Sequence, residues 1–327
     1  MSGRSALIEA FLAAHGYGHA RRTPLVQDAS ARRYVRLTGG PAAALLMDAP
    51  PPEDVRAFVA VARHLADAGL SAPAVLAADE RAGLLLVEDL GDAVFTTMPA
   101  APASLLDAAI DALLRMQATP APGWLPRWDV TTMIEPAVSP LLDWWWPATF
   151  GGSAPAALRP VLVTALETML RSLPLGGFVH RDFHAGNLMW LPARADVRRV
   201  GVLDFQSAAI GCPAYDVASL IEDARRDVPE PLRERAIARY LAGARANNAD
   251  FRAAVAVCAA HRHLRIAGQF VRLAVRDGKP HYLPHGPRIW AMLEGALTHP
   301  ACAPLAEVLA YWIPSRHRCN PPGLAAA

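Results

Sequence analysis

Lysine is almost absent from this 327-residue chain: of its 32 basic residues, Lys279 alone is not arginine. Chemistry that needs a particular lysine, as a Schiff base or as a point charge on phosphate, is left with one candidate late in the sequence. Cysteine is sparse as well. Cys212, Cys258, Cys302 and Cys319 lie far apart, with no CxxC pair and no histidine at zinc spacing, so a zinc module and a disulfide scaffold are both excluded. No run of 18 apolar residues exists, and the amphipathic start, broken at Gly16, lacks a long apolar core and a small-residue cleavage site. A soluble, cytoplasmic protein without a membrane partner is expected. Excess charge is missing too, since the net charge is only +2, which gives no electrostatic case for a nucleic-acid partner.

What is present is globular, 53% hydrophobic and 19% charged. The length exceeds the usual size of one core, so two lobes with a cleft are expected. Leu7, Ile8, Phe11 and Leu12 have helical spacing up to Gly16. The period then changes: "RRYVRL" at 32–37 and "AALLMDA" at 43–49 flank Gly39-Gly40-Pro41, a hairpin signature. Val55, Phe58, Val59, Ala62 and Leu65 predict a helix that starts after prolines and stops at Gly69. A second hairpin follows at 73–90, turning at Glu80–Gly83. From about residue 103 the pattern is helical, with Pro-rich joints at 120–126 and 136–140. The fold class is therefore α+β: a small antiparallel sheet lobe with one main helix, residues 1–90, and a larger, mainly helical lobe, residues 91–327.

In the second lobe the strand signals surround one polar stretch, "FVHRDFHAGNLMW" at 178–190. "NLMWLP" and "RRVGVLDF" flank the turn "ARAD" as a hairpin, whose open ends are neighbours in space. Asn187 stands at one end and Asp204 at the other. Phosphoryl transfer asks a protein for magnesium held against phosphates and an acceptor hydroxyl in line. Mg²⁺ takes one or two hard oxygens from protein, which Asn187 and Asp204 supply, and Asp182 is placed to accept or orient a hydroxyl proton. Asp and Asn also favour turns on purely local grounds, which is the bland alternative for Asp182 and Asn187 taken alone.

"HRDFHAGN" followed by "DFQ" resembles the catalytic loop and metal segment of the protein-kinase-like fold, H-x-D-x-x-x-x-N and D-F-x. His184, two residues after the Asp, resembles the small-molecule kinases of the aminoglycoside phosphotransferase type, and "GCPAYDVASLIED" is similar to a further segment of those enzymes. The resemblance implies a bilobal fold, ATP as co-substrate, Mg²⁺ on Asn187 and Asp204, Asp182 as catalytic residue, and Asp182 with His184 against the acceptor. It implies adenine on the connector "VEDLG", bonded to the backbone of Glu88 and Leu90. Asp216 is expected to be structural, capping a helix at 217–225 and bracing the loop.

The sequence departs from protein kinases in the first lobe, which has no Gly-rich loop and carries Met47 and Asp48 where a phosphate-binding lysine is expected. Ser30, Arg32 and Arg33 are the candidate replacements, one arginine of the pair being equally explicable as solvated. Glu53, assigned to the first helix of this pattern, has no lysine to meet and either binds an arginine or nothing. Together "DASARRYVRL", "LLMDAPPPEDVRAFVAVARHL" and "HRHLRIAGQFVRLAVRDGKPHYL" resemble the anomeric kinases of N-acetylmuramic acid and N-acetylglucosamine, cytoplasmic enzymes of cell-wall sugar recycling, in which the missing lysine is the norm.

Asp143 with the three tryptophans of "LLDWWWPATF" offers a carboxylate and an aromatic platform for a sugar ring, Trp144 being the candidate; successive tryptophans on a helix point in different directions, so at least one or two are expected in the core. Residues 261–290 hold six Arg or Lys, four His and one acid, Asp277. Such an arm disfavours polycationic acceptors and suits the lactyl carboxylate of N-acetylmuramate, with Arg262 and Arg265 as candidates. Two rivals stay open: a kinase of another hydroxyl acceptor, aminoglycoside or choline-like, and a catalytically silent kinase-like binding module.

Overall fold

The computed structural model describes residues 3–25, 32–98 and 102–324. The described chain divides into two compact units, one made of residues up to 116 together with 186–207, the other of 117–185 and 208 onward. Sheet and helices are both present, as the α+β expectation requires.

The first unit is built on a five-stranded antiparallel sheet in the order β1-β2-β3-β5-β4, from β1 (Arg21–Pro24), β2 (Arg33–Thr38), β3 (Ala44–Asp48), β4 (Val75–Asp79) and β5 (Leu84–Glu88). Both expected hairpins form, and β1 extends the first of them by pairing Arg21 with Thr38. Four residues with one apolar side chain of their own kind carry no alternation, so β1 left no mark in the sequence. Across the sheet Leu46 stands opposite Leu86 while Met47 stands opposite Leu85, which puts alternate residues on opposite faces. Leu84 to Val87 are all buried, as a central strand covered on both sides demands. One face packs on helix α1 (Gly3–Ala14) through Phe11, Leu12, Leu37, Leu46 and Leu86.

Helix α2 (Arg56–Asp67) buries Phe58, Val59, Val61, Ala62 and Leu65 and stops at Gly69, whose φ of +78° suits a residue without Cβ. Phe58 meets Phe205 at a ring-centroid distance of 4.8 Å. Burial of a Phe of this kind stabilises by about 1.5–3 kcal/mol, and here it also ties α2 to the segment after Asp204. Glu53 lies three residues before α2, a correction to its assignment on the helix: prolines at 50–52 delay the first helical turn. After α3 (Pro102–Ala118) the chain leaves this unit and returns as the hairpin β7 (Leu188–Trp190) and β8 (Val200–Val202).

The second unit is arranged around α9 (Asn248–Asp277), a helix of 30 residues and so about 45 Å long. Asn247 caps it, accepting from the Asp250 N–H at 3.1 Å, and Gly278 ends it at φ +64°. Helices α4 (Val130–Pro140), α7 (Ala214–Ile221) and α10 (Gly286–Leu297) pack on it, with α5 (Trp146–Phe150), α6 (Leu158–Leu170), α8 (Glu230–Ala244) and α11 (Ala303–Trp312) outside or between them. The expected joint at 136–140 is not a break. Pro136 and Pro140 lie inside α4, which runs on as a π-helical turn over Leu141–Trp145. The wider turn absorbs carbonyls that prolines leave without an N–H, and close packing on α9 holds it. At Gly268 a Cβ would come 2.3 Å from the Pro140 carbonyl carbon, so only glycine permits that approach.

A short pair, β6 (Gly177–Val179) with β9 (Ala209–Gly211), brackets residues 180–208. β9 was not expected, because three residues are too few to show a period. Among the described residues no helix is long and apolar enough to cross a membrane.

Candidate active site

In the second unit the loop after β6 is shaped by one carboxylate. Asp216, in the first turn of α7 and fully buried, accepts the backbone N–H of His180 at 2.7 Å and of Arg181 at 2.9 Å. It braces the loop as expected, from within the helix and not as its cap, that position being Pro213. Burial, with the Asp182 charge adding and the two N–H groups opposing, pushes the Asp216 carboxyl up to about 7. Arg181 takes a left-handed conformation, φ +76°, and its guanidinium lies 3.7 Å from the centre of the Trp128 ring. The His180 Nδ1 atom accepts the Asp182 N–H at 3.2 Å, which puts the ring proton on Nε2. Backbone strain at Arg181 is thus held by two bonds and a stacked ring, and Asp182 is presented beyond it.

The Asp182 carboxylate is 41% exposed, with His184 Nε2 at 3.5 Å and Arg262 Nη2 at 3.8 Å from its Oδ1. Crowding by protein atoms works against its charge, but the hydrogen bond from His184 and the charges of His184, Arg262 and Arg265 outweigh it and hold the carboxyl well below the usual range. Arg262 is buried and also reaches the Glu222 carbonyl at 3.4 Å, and Arg265 donates to the Tyr215 hydroxyl at 3.2 Å. Such an Asp is ionised at any physiological pH and is a weak base, better suited to orienting a proton than to removing one unaided.

In the first unit β7 and β8 pair Leu188 with Val202, and beyond that pair the Leu203 N–H donates to the Asn187 carbonyl at 2.9 Å. The open end of the hairpin therefore carries Asn187 and Asp204 together. Asp204 has φ +56°, a conformation Asp tolerates better than most residues, and its side chain is 45% exposed. Its Oδ1 accepts from Gln206 at 2.7 Å and stands 3.7 Å from Arg32 Nη2. Arg32 in turn has its Nε 4.0 Å from Glu53 Oε2. The Arg32 side chain is only 13% exposed and its Nε is buried without a hydrogen-bond partner.

Residues 21–254 match the phosphotransferase enzyme family. The chain belongs to this family. It is similar to N-acetylmuramate/N-acetylglucosamine kinase of Caulobacter vibrioides, at 38% identity over 97% of this chain and 99% of that protein, and to the Pseudomonas aeruginosa protein of the same name, at 36% over 94% and 93%. Among solved structures its fold is similar to a choline/ethanolamine kinase family protein from Mesorhizobium loti, with a TM-score of 0.64 at 20% identity over 93% of this chain and 99% of that one. An aminoglycoside phosphotransferase in ternary complex with ADP and hygromycin B gives 0.59 at 17% identity over 90% and 98%. The protein-kinase-like fold and the kinase class expected from the loop motif follow.

The remaining residues of this phosphotransferase can be placed individually. Met47 is buried and Asp48 pairs with Arg4, so the strand position of the missing lysine presents no cation; Arg32, at the start of the neighbouring strand, reaches Glu53 instead. Arg33, the first residue of β2, is exposed, whereas Arg32 just before it is largely buried, so Arg32 is the one that turns inward. Ser30 lies outside the described residues. Glu88 ends β5 with its side chain on Arg194 and its N–H donated to the Ala74 carbonyl at 2.8 Å. Leu90 packs over Gly201, where a Cβ would come 3.0 Å from it.

Asp143 gives its oxygens to Ser139 and to Arg159, the latter at 2.9 Å. Of the three tryptophans, Trp145 is buried with its Nε1 donated to the Cys319 carbonyl at 2.9 Å, Trp146 is buried against Phe150, and Trp144 alone is partly exposed. Of the four histidines in the basic arm, His261 and His263 are interior, bonded to the Met133 carbonyl at 2.8 Å and to Glu222 at 2.5 Å. Sequence reasoning missed this, since histidine at helical spacing looks the same on a buried and a solvated face.

Proposed function

We propose that this phosphotransferase transfers the γ-phosphoryl group of ATP to the anomeric C1 hydroxyl of N-acetylmuramic acid and N-acetylglucosamine, in the cytoplasmic recycling of cell-wall sugars. The observation that carries the acceptor class is the arginine surrounding of Asp182, with Arg262 at 3.8 Å and the charge of Arg265 acting on the same carboxylate. Cationic acceptors, amino alcohols or aminoglycosides, would face like charge there, whereas a neutral or anionic sugar would not. The same electrostatics weaken Asp182 as a base. An anomeric hydroxyl is more acidic than an ordinary alcohol, so an orienting carboxylate suffices for it.

Two hard oxygens at one hairpin end fit a magnesium ion, and Asn187 and Asp204 are the residues that would hold it. When bound, it neutralises phosphate charge. Arg32, steered between Glu53 and Asp204, supplies the cation for the phosphates that the strand lysine supplies in protein kinases, and Arg33 and Ser30 complete the nucleotide set. The Glu88 carbonyl and the Leu90 N–H read adenine. Asp182 orients the acceptor hydroxyl, His184 and Arg262 with Arg265 fix its carboxylate, and Trp144 with Asp143 flanks the sugar. Nucleotide binding in residues 1–90 and catalysis with sugar binding in 91–327 belong to the same reading. A silent binding module would have no use for the ionised Asp182 and the Asn187–Asp204 pair together.

The test is an ADP-release assay with Mg-ATP and a panel of acceptors. N-acetylmuramate and N-acetylglucosamine should turn over while their 1-O-methyl glycosides should not; equal turnover of the glycosides would remove the C1 assignment.

A further inference from the structure

Helix α7 ends at Ile221, and the chain turns sharply at once: the buried Asp223 accepts the N–H of Arg225 at 2.8 Å through Oδ1. This turn carries Arg225 to the surface beside His184. Its Nη1 lies 3.4 Å from His184 Nε2, and its Cζ lies 5.5 Å from the centre of the buried Tyr282 ring. Among the described residues Arg225 forms no ion pair with a carboxylate, while other arginines of this unit do: Arg262 pairs with Asp182, Arg276 with Asp277 and Arg288 with Asp227. An exposed guanidinium held over the face of Tyr282, a residue of the basic arm, is a donor fork ready for an anion.

His184 Nε2 is common to two distances, 3.5 Å to Asp182 Oδ1 and 3.4 Å to Arg225 Nη1, so the fork stands within about 7 Å of the orienting carboxylate. With bonds of about 1.5 Å, an acid carried on the C3 ether oxygen of a pyranose lies roughly 5–8 Å from the C1 hydroxyl. The two spans are commensurate. Arg262 and Arg265 are less suited to this task, because both already act on Asp182 and Arg262 is buried.

We infer that Arg225 is a specificity residue that recognises the carboxylate of the acceptor and thereby separates N-acetylmuramate from N-acetylglucosamine. The inference rests on the acceptor class proposed above. Tyr282 supports the guanidinium, and the Asp223 bond to the Arg225 N–H fixes where the side chain emerges, a bond that any residue at 225 retains.

The experiment measures kcat/KM for both sugars with the wild type, Arg225→Leu and Arg225→Lys. The ratio of N-acetylmuramate to N-acetylglucosamine should fall about 10- to 100-fold in Arg225→Leu, the loss of a charge-assisted pair, and less in Arg225→Lys, which keeps the charge without the fork. The fall should reside in KM. A ratio unchanged in both variants, or an equal loss on both sugars, overturns the assignment of Arg225. If the wild type phosphorylates neither sugar, the acceptor reading itself fails, and the two failures are thereby told apart.

Discussion

His261 offers a prediction whose size can be worked from its surroundings. It sits inside the second unit on α9, one residue before Arg262, with Nε2 donating to the Met133 carbonyl at 2.8 Å and its ring edge-on to Trp128. Burial, opposed by the bond to Met133 and reinforced by Arg265 and Arg181, pushes it down to about 4 from an ordinary 6.5. The unfolded chain therefore takes up a proton first, and stability is lost as pH falls from 6.5 towards 4. At about 1.4 kcal/mol per pKa unit the complete loss is about 3 kcal/mol, of which about 2 kcal/mol is reached by pH 5. Asp216 acts in the opposite sense: its folded pKa of about 7 lies above the ordinary 3.8, so its contribution grows as pH falls through 7. The wild-type profile alone would mix the two.

Comparison with His261→Phe separates them, since Asp216 is common to both proteins. Urea unfolding followed by tryptophan fluorescence is the assay, because seven of the eight tryptophans lie in the second unit. Lowering the pH from 7.5 to 5 should cost the wild type about 2 kcal/mol more than the variant. Parallel pH profiles would mean that His261 charges without penalty in the folded protein, and the account of α9 as a buried scaffold for Arg262 and Arg265 would be wrong.

Replacing Arg32 by Ala removes the cation between Glu53 and Asp204 and should lower kcat/KM for ATP by about 10²–10³-fold, with Arg32→Lys recovering part of it; unchanged ATP kinetics would leave the missing lysine without a substitute. Asp216→Asn turns an NH₂ group towards one of two backbone donors at 2.7 and 2.9 Å. The loop that presents Asp182 should shift, and kcat should fall about 10²-fold with little change in KM for ATP, as steady-state kinetics would show.

Much of this was legible locally. The two hairpins, α2 and the pairing of Asn187 with Asp204 follow from turn residues and short-range alternation, which depend on neighbours in sequence. Arg32 and Arg33 were candidates because an arginine fork can hold phosphate, and that Arg32 is the more buried of the two was not readable from their neighbours in sequence. What the sequence withheld depends on distant partners. β1 and β9 exist because β2 and β6 provide edges for them, and the π turn after Pro140 exists because Gly268 lets α9 approach. His261 and His263 resemble a basic surface until their helix is packed. Arg225 carried no signal beyond being one arginine among many, and its place beside His184 is set by a side-chain bond at Asp223.

The central claim is that phosphate arrives on the anomeric oxygen. Phosphorus NMR of the product from Mg-ATP and N-acetylglucosamine tests it most directly. The account predicts one new phosphomonoester signal coupled to the single C1 proton; a signal coupled to the two methylene protons of C6 would contradict it.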